Sequence, residues 1–132
     1  MNTIVLSATS STPAVEFDFT CGRLSLRGES WPENAAAFYR PLIVAVEEWQ
    51  GSTLMRSIDR VSIHVALSYF NSSSTKMLFG LFGRLNEAAS GGINTELHWY
   101  YDGEDDISEE FGHELSIDFP AIAFHMHPGE VQ

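Results

Sequence analysis

The feature that most constrains the fold of this chain is an alternation of apolar and polar side chains over Val61–Phe70, with Tyr69 as its last apolar position. A period of two residues puts every second side chain on one face, so the segment predicts a half-buried β-strand. The strand runs directly into Asn71-Ser72-Ser73-Ser74, and these residue types favour the start of a helix. Apolar residues at helical spacing follow up to about Ala89, which predicts a strand joined to a helix by a very short junction.

The start of the chain predicts antiparallel strands. Alternating apolar residues over 15–19 and 24–26 stand on either side of Cys21-Gly22, a pattern typical of a hairpin closed by a turn. Ile4-Val5-Leu6 is a further short apolar run, and it predicts an additional strand at the edge of the sheet.

A helix is predicted to begin within residues 28–34, with Pro32 at its first helical position. Between Phe38 and Trp49, apolar residues recur at spacings of four, four and three, which gives the helix one buried stripe. Pro41 lies inside this helix. Because proline lacks an amide proton and clashes with the carbonyl four residues earlier, we expect a kink or a break there.

The rest of the chain predicts a strand over 93–99, a short helix with Ile107 on its buried side, and a last extended segment over 117–127. Strand and helix therefore alternate three times after the hairpin. Right-handed crossovers then give an α/β domain with a mixed, mainly parallel sheet, an N-terminal antiparallel hairpin and helices packed against it. A length of 132 residues suits one core over the whole chain, 1–132, with residues 1–12 and 128–132 as loosely held ends.

Charge is unevenly distributed along the chain. All seven basic residues lie between Arg23 and Arg84, whereas the last 48 residues carry eleven acids and no lysine or arginine. A net charge of −11 repels nucleic acid and anionic lipid, so we predict neither as a partner. The acidic third is either a docking surface for a basic protein or a solvated face that aids solubility.

The sequence indicates a reducing compartment. Cys21 is the one cysteine and cannot form an internal disulfide. The first twelve residues show no basic start followed by an apolar run, unlike a secretory signal. No apolar run approaches the roughly 20 residues that cross a bilayer. We therefore predict a cytoplasmic protein without a membrane span.

The serine cluster after the long strand is the strongest candidate for a functional site. It is predicted where the carboxyl end of a strand meets the amino end of a helix, a place where open α/β sheets expose functional groups. A plain helix cap would explain the same residues. Their hydroxyls are also within reach of a kinase, and a helix amino terminus stabilises an added phosphate.

Several strings of the sequence resemble the motifs of one bacterial family. These strings are Gly22-x-Leu24, Gly28-Glu29-Ser30-x-Pro32-Glu33-Asn34, Phe38-Tyr39-x-Pro41, Tyr69-Phe70-Asn71-Ser72-Ser73-Ser74, Trp99-Tyr100-Tyr101-Asp102 and Glu109-Glu110-Phe111-Gly112. They span roughly residues 11–119 and resemble the motifs of the SiaC-type regulatory phosphoproteins. The string that begins at Gly28 is the most specific of them.

The resemblance implies a STAS-like fold, similar to that of anti-sigma-factor antagonists, and a partner switch controlled by one reversible phosphorylation. The unmodified family protein is understood to bind and activate a GGDEF diguanylate cyclase in c-di-GMP signalling. A Ser/Thr kinase with a histidine-kinase-like ATPase fold and a metal-dependent phosphatase set its state.

The resemblance also indicates which residues carry the switch. The hydroxyl that follows the motif asparagine is Ser72, where family members can have threonine. Ser73, Ser74 and Thr75 are second choices for the modification. The predicted partner-binding residues are Asn71, Ser73, Ser74, Lys76, Trp31, Glu33 and Asn34.

Two alternatives to the switch remain open at this stage. The first is a STAS-like scaffold that binds its partner constitutively. The second is an enzyme built on Ser73-Ser74-Thr75-Lys76, which has the Ser-x-x-Lys form of serine β-lactamases. The chain is short for such an enzyme and lacks the accompanying Lys-Thr-Gly and Ser-Asp-Asn strings.

A metal site is the other chemistry that the sequence raises. His125 and His127 fall on the same side of a strand, but no third ligand can be assigned to them. The acidic loop that begins at Asp102 has Ile107 where a calcium hand requires glycine. We therefore predict no metal, no cofactor and no catalytic residue.

Overall fold

Six strands in sequential order form the sheet of the computed structural model, which describes residues 3–129. They are β1 Thr3–Leu6, β2 Ala14–Asp18, β3 Arg23–Ser30, β4 Val61–Phe70, β5 Thr95–Asp102 and β6 Ala123–Gly129. The first two pairings are antiparallel and the other three are parallel. The predicted fold class, with its N-terminal hairpin and mainly parallel sheet, is confirmed.

Helices connect the parallel strands. They are α1 Ala35–Gln50, α2 Thr53–Arg56, α3 Ser72–Ser90 and α4 Asp106–Asp118. The strands bury alternate side chains; in β4, Val61, Ile63, Val65 and Leu67 are buried and the residues between them are half-buried. One face of the sheet therefore packs against the helices, and the other face is open. None of the helices within residues 3–129 is long and apolar enough to cross a membrane.

The core lies between the sheet and the helices. Trp99 from β5 packs edge-on against Phe70 at the end of β4, with ring centroids 6.0 Å apart, and against Phe111 of α4 at 5.6 Å. Leu78 and Phe82 of α3 are fully buried. Burial of each such side chain stabilises the fold by roughly 1.5–3 kcal/mol, so these two side chains hold α3 against the sheet.

The predicted start of the first helix is wrong. Residues 28–30 continue β3, and α1 begins only at Ala35, where the Asn34 side chain accepts a hydrogen bond from the Ala37 amide at 3.0 Å. Pro32 therefore lies before the helix. The competing signal was Gly28, whose φ of 123° suits an irregular strand position as well as a strand end. Of the kink or break expected at Pro41, the break is wrong, because α1 continues through this residue.

The segments predicted as loose ends, residues 1–12 and 128–132, include strand residues. Residues 3–6 pair with β2, and residues 128–129 belong to β6, so the prediction of loose ends fails there; residues 1–2 and 130–132 lie outside the described part. Ile107 of α4 was expected to be buried but is exposed, and Ser108 is buried in its place. The reason is that Trp99 Nε1 donates to the Ser108 carbonyl at 3.0 Å, which fixes the helix orientation.

The open face of the sheet carries a ladder of stacked rings. His64, His98 and His125 are in register on β4, β5 and β6, with successive ring centroids 4.8 and 4.9 Å apart. His127 stacks on Tyr100 at 4.7 Å. Within residues 3–129, no group of three histidine, cysteine or acidic side chains is arranged to hold a metal ion.

Hydrogen bonds fix which ring nitrogen of neutral His64 carries the proton. Arg23 Nη1 lies 3.0 Å from His64 Nε2, and a guanidinium can only donate. His64 Nε2 must therefore accept, so neutral His64 donates from Nδ1 to the Tyr100 hydroxyl at 2.9 Å. Burial, with Arg23 and His98 close by, lowers the pKa of His64 to about 4.

We predict that the free energy of unfolding falls as the pH drops from about 6.5 to about 4. In that window the unfolded chain binds a proton at His64 that the folded domain excludes. His64→Gln should flatten the pH dependence, whereas His113→Gln, at an exposed position on α4, should leave it unchanged. Urea unfolding at a series of pH values measures both, and parallel curves for wild type and His64→Gln would contradict the prediction.

Candidate functional site

The candidate site is the junction between β4 and α3. Asn71 caps the helix, since its Oδ1 accepts a hydrogen bond from the Ser74 amide at 2.9 Å. Its carbonyl accepts the first intrahelical bond, from the Thr75 amide at 3.0 Å. Ser72 and Ser73 are thus the first two helical residues, whose amides have no partner within a helix. The junction leaves these donors on the surface.

The three serines at the junction have different environments. Ser72 and Ser73 are exposed, and neither hydroxyl forms a hydrogen bond within the described part of the chain. Ser74 is completely buried. Thr75 is half-buried, and its hydroxyl donates to the Ser72 carbonyl at 2.7 Å. Ser72 therefore combines an accessible hydroxyl with a position at the helix amino terminus.

A buried chain of hydroxyl groups lies beneath the junction. Ser74 Oγ donates to the Ser30 carbonyl at 2.9 Å, and Ser30 Oγ donates to Ser74 Oγ at 2.8 Å. Because each serine has one hydroxyl proton, Tyr39 must be the donor in its 2.5 Å contact with Ser30 Oγ. Burial raises the pKa of Tyr39 to about 12, so the tyrosine remains protonated and the chain is complete.

This hydroxyl chain joins three elements at one point. Ser30 ends β3, Tyr39 lies in the first turns of α1, and Ser74 lies in the first turn of α3. The Ser30 carbonyl also accepts the Asn71 amide at 3.1 Å. The prediction that Ser74 binds a partner or is modified is therefore wrong, since its hydroxyl is buried and its proton is committed. Ser30 and Tyr39 belong to the family motifs, but nothing in the sequence indicated that they form this hydroxyl chain.

A bulge next to the junction exposes an aromatic ring. Gly28 pairs with Leu67, whereas Glu29 pairs with Tyr69, so Ser68 is an extra residue in β4. The alternation shifts there: Phe70 packs inward and Tyr69 is 53% exposed. The inward position predicted for Tyr69 is wrong for this reason. The alternation of apolar and polar residues in β4 did not indicate that Ser68 is an extra residue.

The other predicted binding residues lie around the same end of the sheet. Trp31, just after β3, is 42% exposed, and its Nε1 donates to Glu29 Oε1 at 2.9 Å. Lys76 is exposed one turn after Ser72. Glu33 is exposed ahead of α1. The side chain of Asn34, like that of Asn71, is occupied in capping its helix.

An acidic loop borders this end of the sheet. Asp102, Glu104 and Asp105 line a shallow depression of about 220 Å³ together with Leu67 and Ser68. The Asp102 carboxylate accepts the Glu104 amide at 2.9 Å, and Asp105 accepts the Ser108 amide at 3.1 Å. Two of these carboxylates therefore have structural roles in the turn and the cap of α4.

The Ser-x-x-Lys pair lacks the features of a catalytic pair. Ser73 and Lys76 are both exposed, and no hydrogen bond joins them within residues 3–129. A lysine that activates a nucleophile is desolvated and neutral. Lys76 is in contact with water and lacks that environment.

The fold and the site define a regulatory domain of the α/β type, in which an accessible hydroxyl stands at a strand–helix junction. The sequence profile described as "SiaC family regulatory phosphoprotein" matches residues 6–129. The chain belongs to this family. It is also 33% identical to an uncharacterised protein of Pseudomonas aeruginosa strain UCBPP-PA14, over 95% of this chain and 98% of that one.

Two solved structures show the same architecture. The crystal structure of apo-SiaC from Pseudomonas aeruginosa is 31% identical, covers 96% of this chain and 99% of its own, and superposes with a TM-score of 0.85. The SiaC chain in the crystal structure of the diguanylate cyclase SiaD in complex with its activator SiaC, from the same organism, is 30% identical. It covers 95% of this chain and 98% of its own, with a TM-score of 0.84.

The hydroxyl chain predicts different costs for neighbouring serines. Ser74→Ala removes a donor from the buried Ser30 carbonyl and an acceptor from the Ser30 hydroxyl, so it should lower the free energy of unfolding by about 1–3 kcal/mol. Ser73→Ala, one residue earlier and exposed, should change it by less than about 0.5 kcal/mol. Chemical denaturation of both variants tests the prediction, which equal costs would refute.

Proposed function

We propose that this protein, with Ser72 unmodified, binds and activates a diguanylate cyclase, and that phosphorylation of Ser72 blocks the binding. The observation that carries the proposal is the exposed Ser72 hydroxyl on the first turn of α3, next to a Ser74 hydroxyl that is fully buried. Membership of a family of regulatory phosphoproteins supports it. The relative SiaC, described as the activator of SiaD in their complex, supports the cyclase as the partner.

The docking surface that we propose surrounds Ser72. It comprises the exposed rings of Trp31 and Tyr69, the Ser73 hydroxyl and the Lys76 ammonium group, with Asn71, Glu33 and Asn34 at its margin. Large aromatic side chains are enriched where protein interfaces derive their affinity. Lys76 forms no ion pair within residues 3–129 and is available to an acidic group of the partner.

A phosphate on Ser72 would act on this surface while leaving the fold intact. It would meet the free amides and the positive end of the α3 dipole, an interaction worth about 0.3–1 kcal/mol. Lys76 stands four residues later on the same side of the helix, within reach of an ion pair. The phosphate would thus occupy the one lysine of the chain and would add charge that a docked partner must desolvate.

The modifying enzymes belong to the same proposal. A Ser/Thr kinase with a histidine-kinase-like ATPase fold would add the phosphate, and a metal-dependent phosphatase would remove it. The protein itself would catalyse no reaction. The exposure of Ser73 and Lys76 supports this against a Ser-x-x-Lys hydrolase, which needs a desolvated lysine. Constitutive binding, without a switch, is the competing function.

Ser72→Asp should weaken capture of the cyclase by at least about thirtyfold, equivalent to roughly 2 kcal/mol, because it places a charge inside the docking surface. Ser72→Ala should preserve capture. Both variants should melt close to wild type, since Ser72 is exposed and makes no side-chain hydrogen bond within the described part. Titration of the purified cyclase against each immobilised variant gives the affinities.

Two further results decide between the proposal and its alternatives. Kinase treatment should add one phosphate to wild type and none to Ser72→Ala, as measured by mass spectrometry. Full capture by Ser72→Asp would favour the constitutive scaffold and contradict the switch.

A further inference from the structure

An apolar groove runs along α1 on the side that faces β1. Its volume is about 730 Å³. The residues that line it are Ile4, Leu6, Phe19, Ala37, Phe38, Pro41, Leu42, Val44, Ala45, Glu48, Trp49, Ser52 and Leu54. Ser72 and its helix neighbours are not among these residues. The groove begins at Ala37, whose amide donates to Asn34 at the margin of the Ser72 docking surface.

The walls of the groove are apolar side chains open to solvent. Leu6 on β1 is 40% exposed and Val44 on α1 is 44% exposed, while Leu42 and Trp49 form part of its buried floor. From Ala37 to Glu48 the lining follows α1 for about 17 Å, three turns of helix. A continuous apolar strip of this kind on a surface marks an interaction site.

We propose that this groove docks one amphipathic helix of the cyclase partner, with an apolar ridge facing Leu6 and Val44 and a lysine or arginine placed against Glu48. The inference rests on the proposed function and adds a second contact surface to it. Helices that bind in grooves insert side chains spaced three or four residues apart over two to three turns, which matches the length of the strip.

The polar groups of the groove favour a helix over a small ligand. Small-molecule sites enclose most of their ligand and orient it with a few accessible polar groups. Here the Trp49 indole N–H, which has no hydrogen-bond partner within the described part, is closed off from solvent. A docked helix needs no such polar anchor in the groove, because its backbone N–H and C=O groups are hydrogen-bonded within the helix itself.

Charge determines the chemistry of the helix flank. Glu48 is the one charged residue that lines the groove, and it forms no ion pair within residues 3–129. The groove is built from residues within the first 84 positions, where seven acids and seven basic residues balance, so Glu48 supplies its local charge. A basic flank would therefore be attracted, and an acidic flank repelled.

The groove lies on the side of α1 that faces away from α3, the helix that begins at Ser72. Ile43 of α1 faces α3, where its Cδ1 would lie 3.4 Å from a Cβ added at Gly80. Phe38, Pro41 and Val44 line the groove instead. A partner that contacts both surfaces would therefore bind at two points, of which phosphorylation alters one.

Val44→Lys tests the groove, because it puts a charge at the mouth without disturbing the core. Capture of the full-length diguanylate cyclase encoded in the same genome should fall at least tenfold. Ile117→Lys makes the matched change at an exposed apolar position on α4 and should leave capture unchanged. Melting temperatures of both variants should stay within a few degrees of wild type.

Glu48→Lys should also weaken capture of the cyclase, because it reverses the charge that faces the basic flank. The loss of affinity relative to wild type should be larger at low salt than at high salt.

The outcomes separate this inference from the proposed function. Loss of capture by Val44→Lys, together with full capture by Ser72→Asp, would support the groove and overturn the switch. Unchanged capture by Val44→Lys would overturn the groove and leave the switch in place. A wild-type dimer that Val44→Lys abolishes, with cyclase capture intact, would also overturn it, since the groove would then join two copies. Failure of wild type to capture any cyclase would overturn both.

Discussion

The rest of the site depends on one buried chain of hydroxyl groups. Tyr39 donates a hydrogen bond to the Ser30 hydroxyl, this hydroxyl donates to that of Ser74, and the Ser74 hydroxyl donates to the Ser30 carbonyl. A buried polar group without a partner costs about as much as several well-made hydrogen bonds contribute, so these groups specify one another's positions. The end of β3, the first turns of α1 and the first turn of α3 are joined by them. The surface around Ser72 takes its shape from this joint.

The joint separates two functions within three consecutive serines. Ser74 holds the helix to the sheet, while Ser72 faces solvent with a hydroxyl that forms no hydrogen bond within residues 3–129. A helix start must satisfy its own amides, and here Asn71 does so through the Ser74 amide, which leaves Ser72 without a structural task. A side chain that neither packs nor forms hydrogen bonds within the described residues can gain a charge at little cost to the stability of the fold. This division suits a protein that signals by modification.

The sequence predicted those parts of the fold that arise from local periodicity. The alternation in β4 and the asparagine cap of α3 located the junction, and the family motifs located Ser72 within it. The hydroxyl chain could not be predicted from the sequence, because Ser30 and Ser74 are 44 residues apart and no local pattern indicates their contact. Tyr69 was misplaced because one inserted residue reverses the phase of a strand. The groove was missed because its walls come from β1 and α1, which the sequence does not show to be neighbours.

The bulge at Ser68 sets which aromatic ring the molecule displays. With the extra residue, ring 69 faces outward and ring 70 joins the packing around Trp99. The bulge takes up Ser68, so Tyr69 and Phe70 hold the positions that an unbroken alternation would give them if Ser68 were absent. An alternation that counted Ser68 as an ordinary strand residue would instead turn the phenol inward and the phenyl outward. A deletion of that single codon would therefore straighten the strand and leave the same phenol displayed beside Ser72.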